Sequence, residues 1–209
     1  MTDWVTISAL ATAAGTLVLA GATFMSVRSA NQAARVAERA LMAGMRPVLV
    51  PSRLTDEPVK VGFADNHWVK VGGGRAIVEA TDDVVYLVIG LRNEGSGLAV
   101  LDRWDFHPDR TPNTEFRDVG TFRRLNRDIY VPSGDIGFWQ GAFRDPADPA
   151  FMAAQEAIRE RRSMTIDLLY GDVEGGQRII SRFGLVPQGE TEWLASISRH
   201  RNLDRPEPR

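Results

Sequence analysis

The stretch from Trp4 to Val27, WVTISALATAAGTLVLAGATFMSV, runs for 24 residues without a charge, a proline, an asparagine or a glutamine. Coiled as a helix at about 1.5 Å per residue it reaches roughly 36 Å, more than a hydrocarbon core of about 30 Å. Thr6, Ser8, Thr12, Thr16 and Thr23 dilute its apolar character, but a hydroxyl on a helix can bond back to the carbonyl one turn earlier and is tolerated in lipid. The sequence therefore predicts a membrane anchor over residues 1–27. Two other readings stand beside it. A cleaved signal peptide would use Ala20-Gly21-Ala22 as its small-x-small site, yet Asp3 and the lack of Lys or Arg before the span are wrong for export. A buried core helix is the third reading, and 24 uncharged residues is long for one.

Arg28, Arg35, Arg39 and Arg46 follow the span against a single Glu38, whereas only Asp3 precedes it. The positive-inside rule then puts the N-terminus outside and the rest of the chain in the cytoplasm, at the cell membrane, with a single pass. No breaker separates the span from residues 28–45, which predicts a continuing juxtamembrane amphipathic helix. Val27, Ala30, Ala34, Ala37, Leu41 and Gly44 alternate by three and four along it. Ala11 and Gly15 in the span, with Ala34, Ala37 and Leu41 below it, are candidate helix–helix contacts, because small side chains let backbones approach closely. They point to a homo-oligomer through the N-terminal helices, or to a helix that lies on its own domain or on lipid headgroups.

Gly44 and Pro47 end the helical pattern. From there the period changes from 3.6 to 2, and residues 46–201 read as one domain of eight to ten short strands. Val84 to Asn93 is nearly all apolar and predicts a central strand covered on both faces. Leu98–Phe106, Ile129–Val131, Ile136–Phe143, Met164–Tyr170, Gln177–Leu185 and Trp193–His200 predict further strands. Residues 107–127 read as a long arginine-rich loop with a short strand near Phe122. Asp148 followed by Pro149 predicts a capped helix running to about Arg162. The fold class is mainly β with an N-terminal transmembrane and juxtamembrane helix: an immunoglobulin-like β-sandwich with one inserted helix. Residues 202–209, polar with two prolines, predict a disordered tail.

Chemistry-bearing motifs are sparse. Net charge is −2, so no global field recruits nucleic acid. His67, His107 and His200 have no metal-ligand spacing and cysteine is absent, so neither a metal nor a cofactor is expected. Asp105, His107 and Asp109 form the one local acidic–histidine group; on a strand end, Asp105 and His107 would point the same way. Gly95-Ser96-Gly97 lacks the strand-to-helix elbow of a serine nucleophile, and Gly72-Gly73-Gly74 opens no helix, so both read as turns. No catalytic residue is predicted. Arg117, Arg123, Arg124 and Arg127 in the long loop are the candidate anion- or partner-binding group, set against ordinary surface ion pairs with interspersed acids.

Arg46-Pro47-Val48-Leu49-Val50-Pro51, Arg92-Asn93-Glu94-Gly95-Ser96-Gly97-Leu98-Ala99, Gly175-Gly176-Gln177-Arg178 with Arg182-Phe183, and Leu203-Asp204-Arg205-Pro206 resemble stretches of uncharacterised single-pass membrane proteins of high-GC bacteria. The resemblance covers nearly the whole chain. It implies the architecture and the membrane location, and it carries no activity and no functional residue. The function expected is a membrane-anchored, non-enzymatic interaction or scaffold module that meets membrane lipid and a protein partner. The alternatives are a membrane-tethered enzyme with its site in the 105–127 region, and an exported ligand-binding sandwich.

Overall fold

The structure is a computed structural model that describes residues 3–110 and 115–204. It divides into two compact units, residues 1–44 and 45–209. The first is a single helix, α1 (Trp4–Gly44), of 41 residues. At about 1.5 Å per residue it is roughly 60 Å long, about twice a bilayer core. Ile7–Leu41 is long and apolar enough to span a membrane and is 0% buried. Thr12, Thr16 and Thr23 donate to the carbonyls of Ser8, Thr12 and Leu19 at 2.8–2.9 Å. The hydroxyls thus find partners inside the helix.

The second unit is mainly β. Its elements are β1 (Leu49–Pro51), β2 (Val59–Gly62), β3 (Trp68–Val71), β4 (Arg75–Ala80), β5 (Val85–Asn93), β6 (Ala99–His107), β7 (Arg123–Val131), β8 (Ile136–Phe143), α2 (Pro149–Arg159), β9 (Met164–Gly171), β10 (Ile179–Gln188) and β11 (Glu192–Asn202). Nine strands form one antiparallel sheet in the order β1-β5-β4-β11-β10-β9-β6-β7, with β8 also on β5; β2 and β3 form a separate hairpin. β8 pairs with β5 from Val85 to Arg92. β4 and β1 share the opposite edge of β5, at Val85–Ile89 and Leu91–Asn93. The sheet curls until its two ends, β7 and β8, come together. The two separate sheets of an immunoglobulin-like sandwich are therefore not confirmed: the ladder is continuous around the core.

The alternation of each strand explains the curl. Leu87, Ile89 and Leu91 of β5, Trp104 and Phe106 of β6, Trp139 and Phe143 of β8, and Ile166, Leu168 and Tyr170 of β9 all point into one buried cluster. α2 closes this core. Its N-cap Asp148 accepts from the Ala150 amide and Pro149 opens the helix. Its apolar face, Phe151, Ala154 and Ala157, is buried in the same cluster. Phe151 alone contributes about 1.5–3 kcal/mol by burial. The outer face of β5, Tyr86 and Val88, is covered by Val61, Phe63, Val69 and Val71 of the β2–β3 hairpin, so the prediction of a central strand covered on both faces holds. Phe122, Leu169 and Ile180 form a third cluster under the segment that leads into β7.

A bulge breaks the simple alternation of one strand, and one sequence expectation, the disordered tail, changes. β6 carries a bulge between Leu101 and Arg103. One extra residue reverses the parity of a strand. Ala99 and Leu101 face the core before it, and Trp104 and Phe106 face the core after it, so Asp105 does not share a face with Ala99 and Leu101. Residues 202–204, expected at the start of a disordered tail, belong to the domain. Asn202 closes β11, and Asp204 accepts from the Arg178 amide at 2.6 Å and its guanidinium at 2.8 Å. The rest of that tail, 205–209, lies outside the described residues.

Candidate functional site

β7 and β8 are joined by the turn at 132–135, yet no ladder is formed between them. The seam is bridged by side chains instead. Arg127 donates to Oε1 of Gln140 at 2.8 Å and lies over the Phe138 ring at 5.2 Å. Away from the turn the seam widens into a cleft of about 400 Å³. β7 supplies Arg123, Arg124, Asn126 and Arg127; β8 and the residue after it supply Gln140 and Arg144; Phe63 and Trp68 come from the β2–β3 hairpin. Trp104 of β6 forms part of the wall. Trp68 is fixed by close packing on Gly62, where a Cβ would come within 2.7 Å of the indole.

The lining contains four guanidiniums and no carboxylate, histidine or hydroxyl group. Two of the guanidiniums are held from behind. Arg123 pairs with Asp148 at 2.8 Å, which holds that carboxyl below the usual carboxylate range. Arg144 pairs with Asp65 at 3.1 Å. Burial pushes the Asp65 carboxyl up, but bonds from the Tyr86 hydroxyl, the His67 amide and Arg144 outweigh it and leave it lowered. The Arg124 guanidinium has no hydrogen-bond or ion-pair partner among the described residues, and that of Arg127 meets the neutral amide of Gln140 and the Phe138 ring but no carboxylate.

The four arginines expected together are therefore split. Arg123, Arg124 and Arg127 line the cleft as part of β7, which is a nine-residue strand rather than a loop. Arg117 lies elsewhere, 3.4 Å from Asp105. Ala11, Gly15, Ala34, Ala37 and Leu41 all lie at exposed positions of α1. Phe63, Trp68, Trp104, Gln140 and Arg144 were missed as site residues. Only the fold brings these distant segments to the seam.

A second polar cluster lies on the outer face of β6, β9 and β10. Asp105 and His107 point the same way, as their spacing predicts. Nε2 of His107 is 3.2 Å from Oδ2 of Asp105 and 3.3 Å from Oδ2 of Asp167. Asp109 is not the third member; it pairs with Arg162 at 2.6 Å. Its place is taken by Asp167, fully buried, which accepts two bonds of 2.7 Å from the buried Arg182. The hydrogen bonds to Asp105 and then Asp167 raise the His107 pKa. Arg182 also donates to the Glu115 carbonyl and lies 4.3 Å from the Phe116 ring centroid. These groups are paired with one another and covered, which is the arrangement of a structural ion network. Asp167 and Arg182 did leave a signal in sequence: a lone carboxylate in MTIDLLY and a lone guanidinium in IISRFGL, each inside a run that must be buried.

A third network is a chain of three bonds. The Leu49 amide donates to Tyr170 Oη at 3.0 Å, Tyr170 Oη bonds Ser181 Oγ at 2.8 Å, and Ser181 Oγ bonds Nδ1 of His200 at 2.6 Å. Burial keeps the His200 pKa low, which suits Nδ1 as an acceptor. With Tyr170 and Ser181 both fully buried, this serine–histidine pair fastens β1, β9, β10 and β11 together. Among the described residues no group of three or more His, Cys, Asp or Glu side chains is placed to hold a metal ion. The chain matches no protein-family model, no curated protein and no solved structure.

Proposed function

We propose that this chain is a membrane-anchored, non-enzymatic interaction module. In this reading α1 crosses the bilayer with its N-terminus outside, and the cytoplasmic β domain offers the seam cleft to an anionic partner. The observation that carries the reading is the chemistry of the cleft wall. Guanidinium, amide, aromatic and aliphatic groups bind charge and apolar surface; none of them is a nucleophile or moves a proton near neutral pH. The anchor is supported by the length of the apolar stretch and by its exposure along the whole of Ile7–Leu41. The orientation rests on the arginine excess that follows the span.

The natural chain lacks cysteine, so single replacements report topology directly. Asp3→Cys is expected to react with a membrane-impermeant maleimide on intact cells, and Glu190→Cys only after lysis. The reverse pattern contradicts the orientation. Affinity purification of the full chain in mild detergent tests the partner. A bound protein lost on Arg124→Glu with Arg127→Glu supports a protein partner at the cleft, and a chain that purifies alone and binds no added anion opposes the module.

A further inference from the structure

The cleft at the β7–β8 seam is one-sided in charge and flat-walled, and these two properties together specify a ligand. Of its four guanidiniums, Arg123 and Arg144 are already matched by Asp148 and Asp65 behind the wall. Arg124 and Arg127 have no carboxylate among the described residues. Two positive charges are thus left for whatever enters. A guanidinium presents its donors as a planar fork that matches carboxylate, phosphate or sulfonate oxygens.

The remaining wall is ring surface. Trp68 is 58% exposed, packs against Gly62 and has the Lys60 ammonium 4.5 Å from its ring centroid; Phe63 and Trp104 lie deeper and are almost wholly buried. A water-facing indole beside guanidiniums without a carboxylate favours a flat body that can stack while its charges are held. The volume, about 400 Å³, falls within the range of about 300–1,000 Å³ usual for small-molecule sites.

A peptide added as a strand fits less well. Such a strand needs a regular edge. On β7 the pairing with β6 jumps from Leu101–Ile129 to Arg103–Arg124, so residues 125–128 bulge out where a template is required. Resting on the reading of the cleft as a binding site, we propose that the seam binds a small organic dianion built on a planar ring system. The tethered domain is then a receptor for a soluble anion.

The test uses the full chain in a non-ionic detergent, titrated calorimetrically with naphthalene-1,5-disulfonate, a planar dianion. The result expected is one saturable site with a Kd of about 10–100 µM. Binding is expected to weaken at least about tenfold in Arg124→Gln with Arg127→Gln. Trp68→Ala is expected to weaken it about as much while leaving a ring-free dianion, pentane-1,5-disulfonate, unchanged. All three positions are at the surface, and unchanged circular dichroism and melting confirm that the variants fold. Four results overturn the proposal: no saturation by about 10 mM, equal affinity for the ring-free dianion, an unaltered Kd in the double arginine variant, or an acidic peptide that displaces the disulfonate and binds more tightly. The titration reads the cleft alone. A protein that fails it but stays in the membrane loses the ligand and keeps the anchor, and one that passes but labels from the opposite side loses only the orientation.

Discussion

Asn93 is fully buried, and its side chain joins four parts of the domain. Oδ1 accepts from the Val48 and Gly95 amides at 3.1 and 3.0 Å, and Nδ2 donates to the Gly97 and Val131 carbonyls at 2.6 and 2.9 Å. All four polar sites of the amide, two lone pairs and two N–H donors, are thereby used. The bonds close the 94–97 turn against residues 45–48, a contact so tight that a Cβ on Gly97 would lie 1.7 Å from the Met45 carbonyl. Asn93→Ala strands two buried carbonyls, at about 1–3 kcal/mol each, and two half-buried amides toward the lower end of that range. The expected loss is about 4–8 kcal/mol, a large part of a domain stability of roughly 5–15 kcal/mol. Urea unfolding of the full chain in non-ionic detergent, followed by tryptophan emission, reads this as a midpoint lowered by about 2 M or more. Asn93→Asp keeps the acceptor but turns a charge toward two carbonyls, and should be at least as damaging. A loss below about 1 kcal/mol for the alanine variant would refute the reasoning.

Asp167→Ala leaves the Arg182 guanidinium without its bidentate partner inside the protein, and should cost about 3–5 kcal/mol in the same unfolding measurement. Tyr170→Phe orphans the Leu49 amide and leaves the Ser181 hydroxyl with His200 as its remaining partner, for an expected loss of about 1–3 kcal/mol. His107 faces Asp105 and Asp167, with Arg117 and Arg182 on those carboxylates, and its pKa is raised. A raised folded pKa means that charging His107 stabilises the fold fully below its ordinary pKa, near 6.5, and that the stabilisation disappears as pH rises through the higher folded value. Unfolding free energy measured across that interval should therefore fall with pH, and His107→Gln should flatten the slope.

The sequence read well wherever one residue decided local structure. Asp148 and Pro149 marked the start of α2, and the apolar run predicted over Val84–Asn93 marked the doubly covered strand β5. It failed where packing decided. β7 was read mostly as loop because its early residues, Arg123 to Asp128, are polar except for Leu125. An edge strand facing water has little need of apolar alternation. The bulge at Asp102 left no mark in composition, yet it turned Trp104 and Phe106 inward and set Asp105 and His107 outward. The arginines of the cleft were visible, but their aromatic walls were not. Phe63 and Trp68 lie some 60 residues before them, and only the curl of the sheet brings those segments together.

The anchor, the orientation and the compartment all depend on α1 residing in lipid. Cells expressing the full chain, lysed without detergent and washed with alkaline carbonate, give the most direct reading after high-speed centrifugation. The protein is expected to sediment with the membranes and to float with them on a density gradient, released only by detergent. Full recovery in the carbonate supernatant would contradict the anchor, and with it the orientation and the compartment in which the seam meets its ligand.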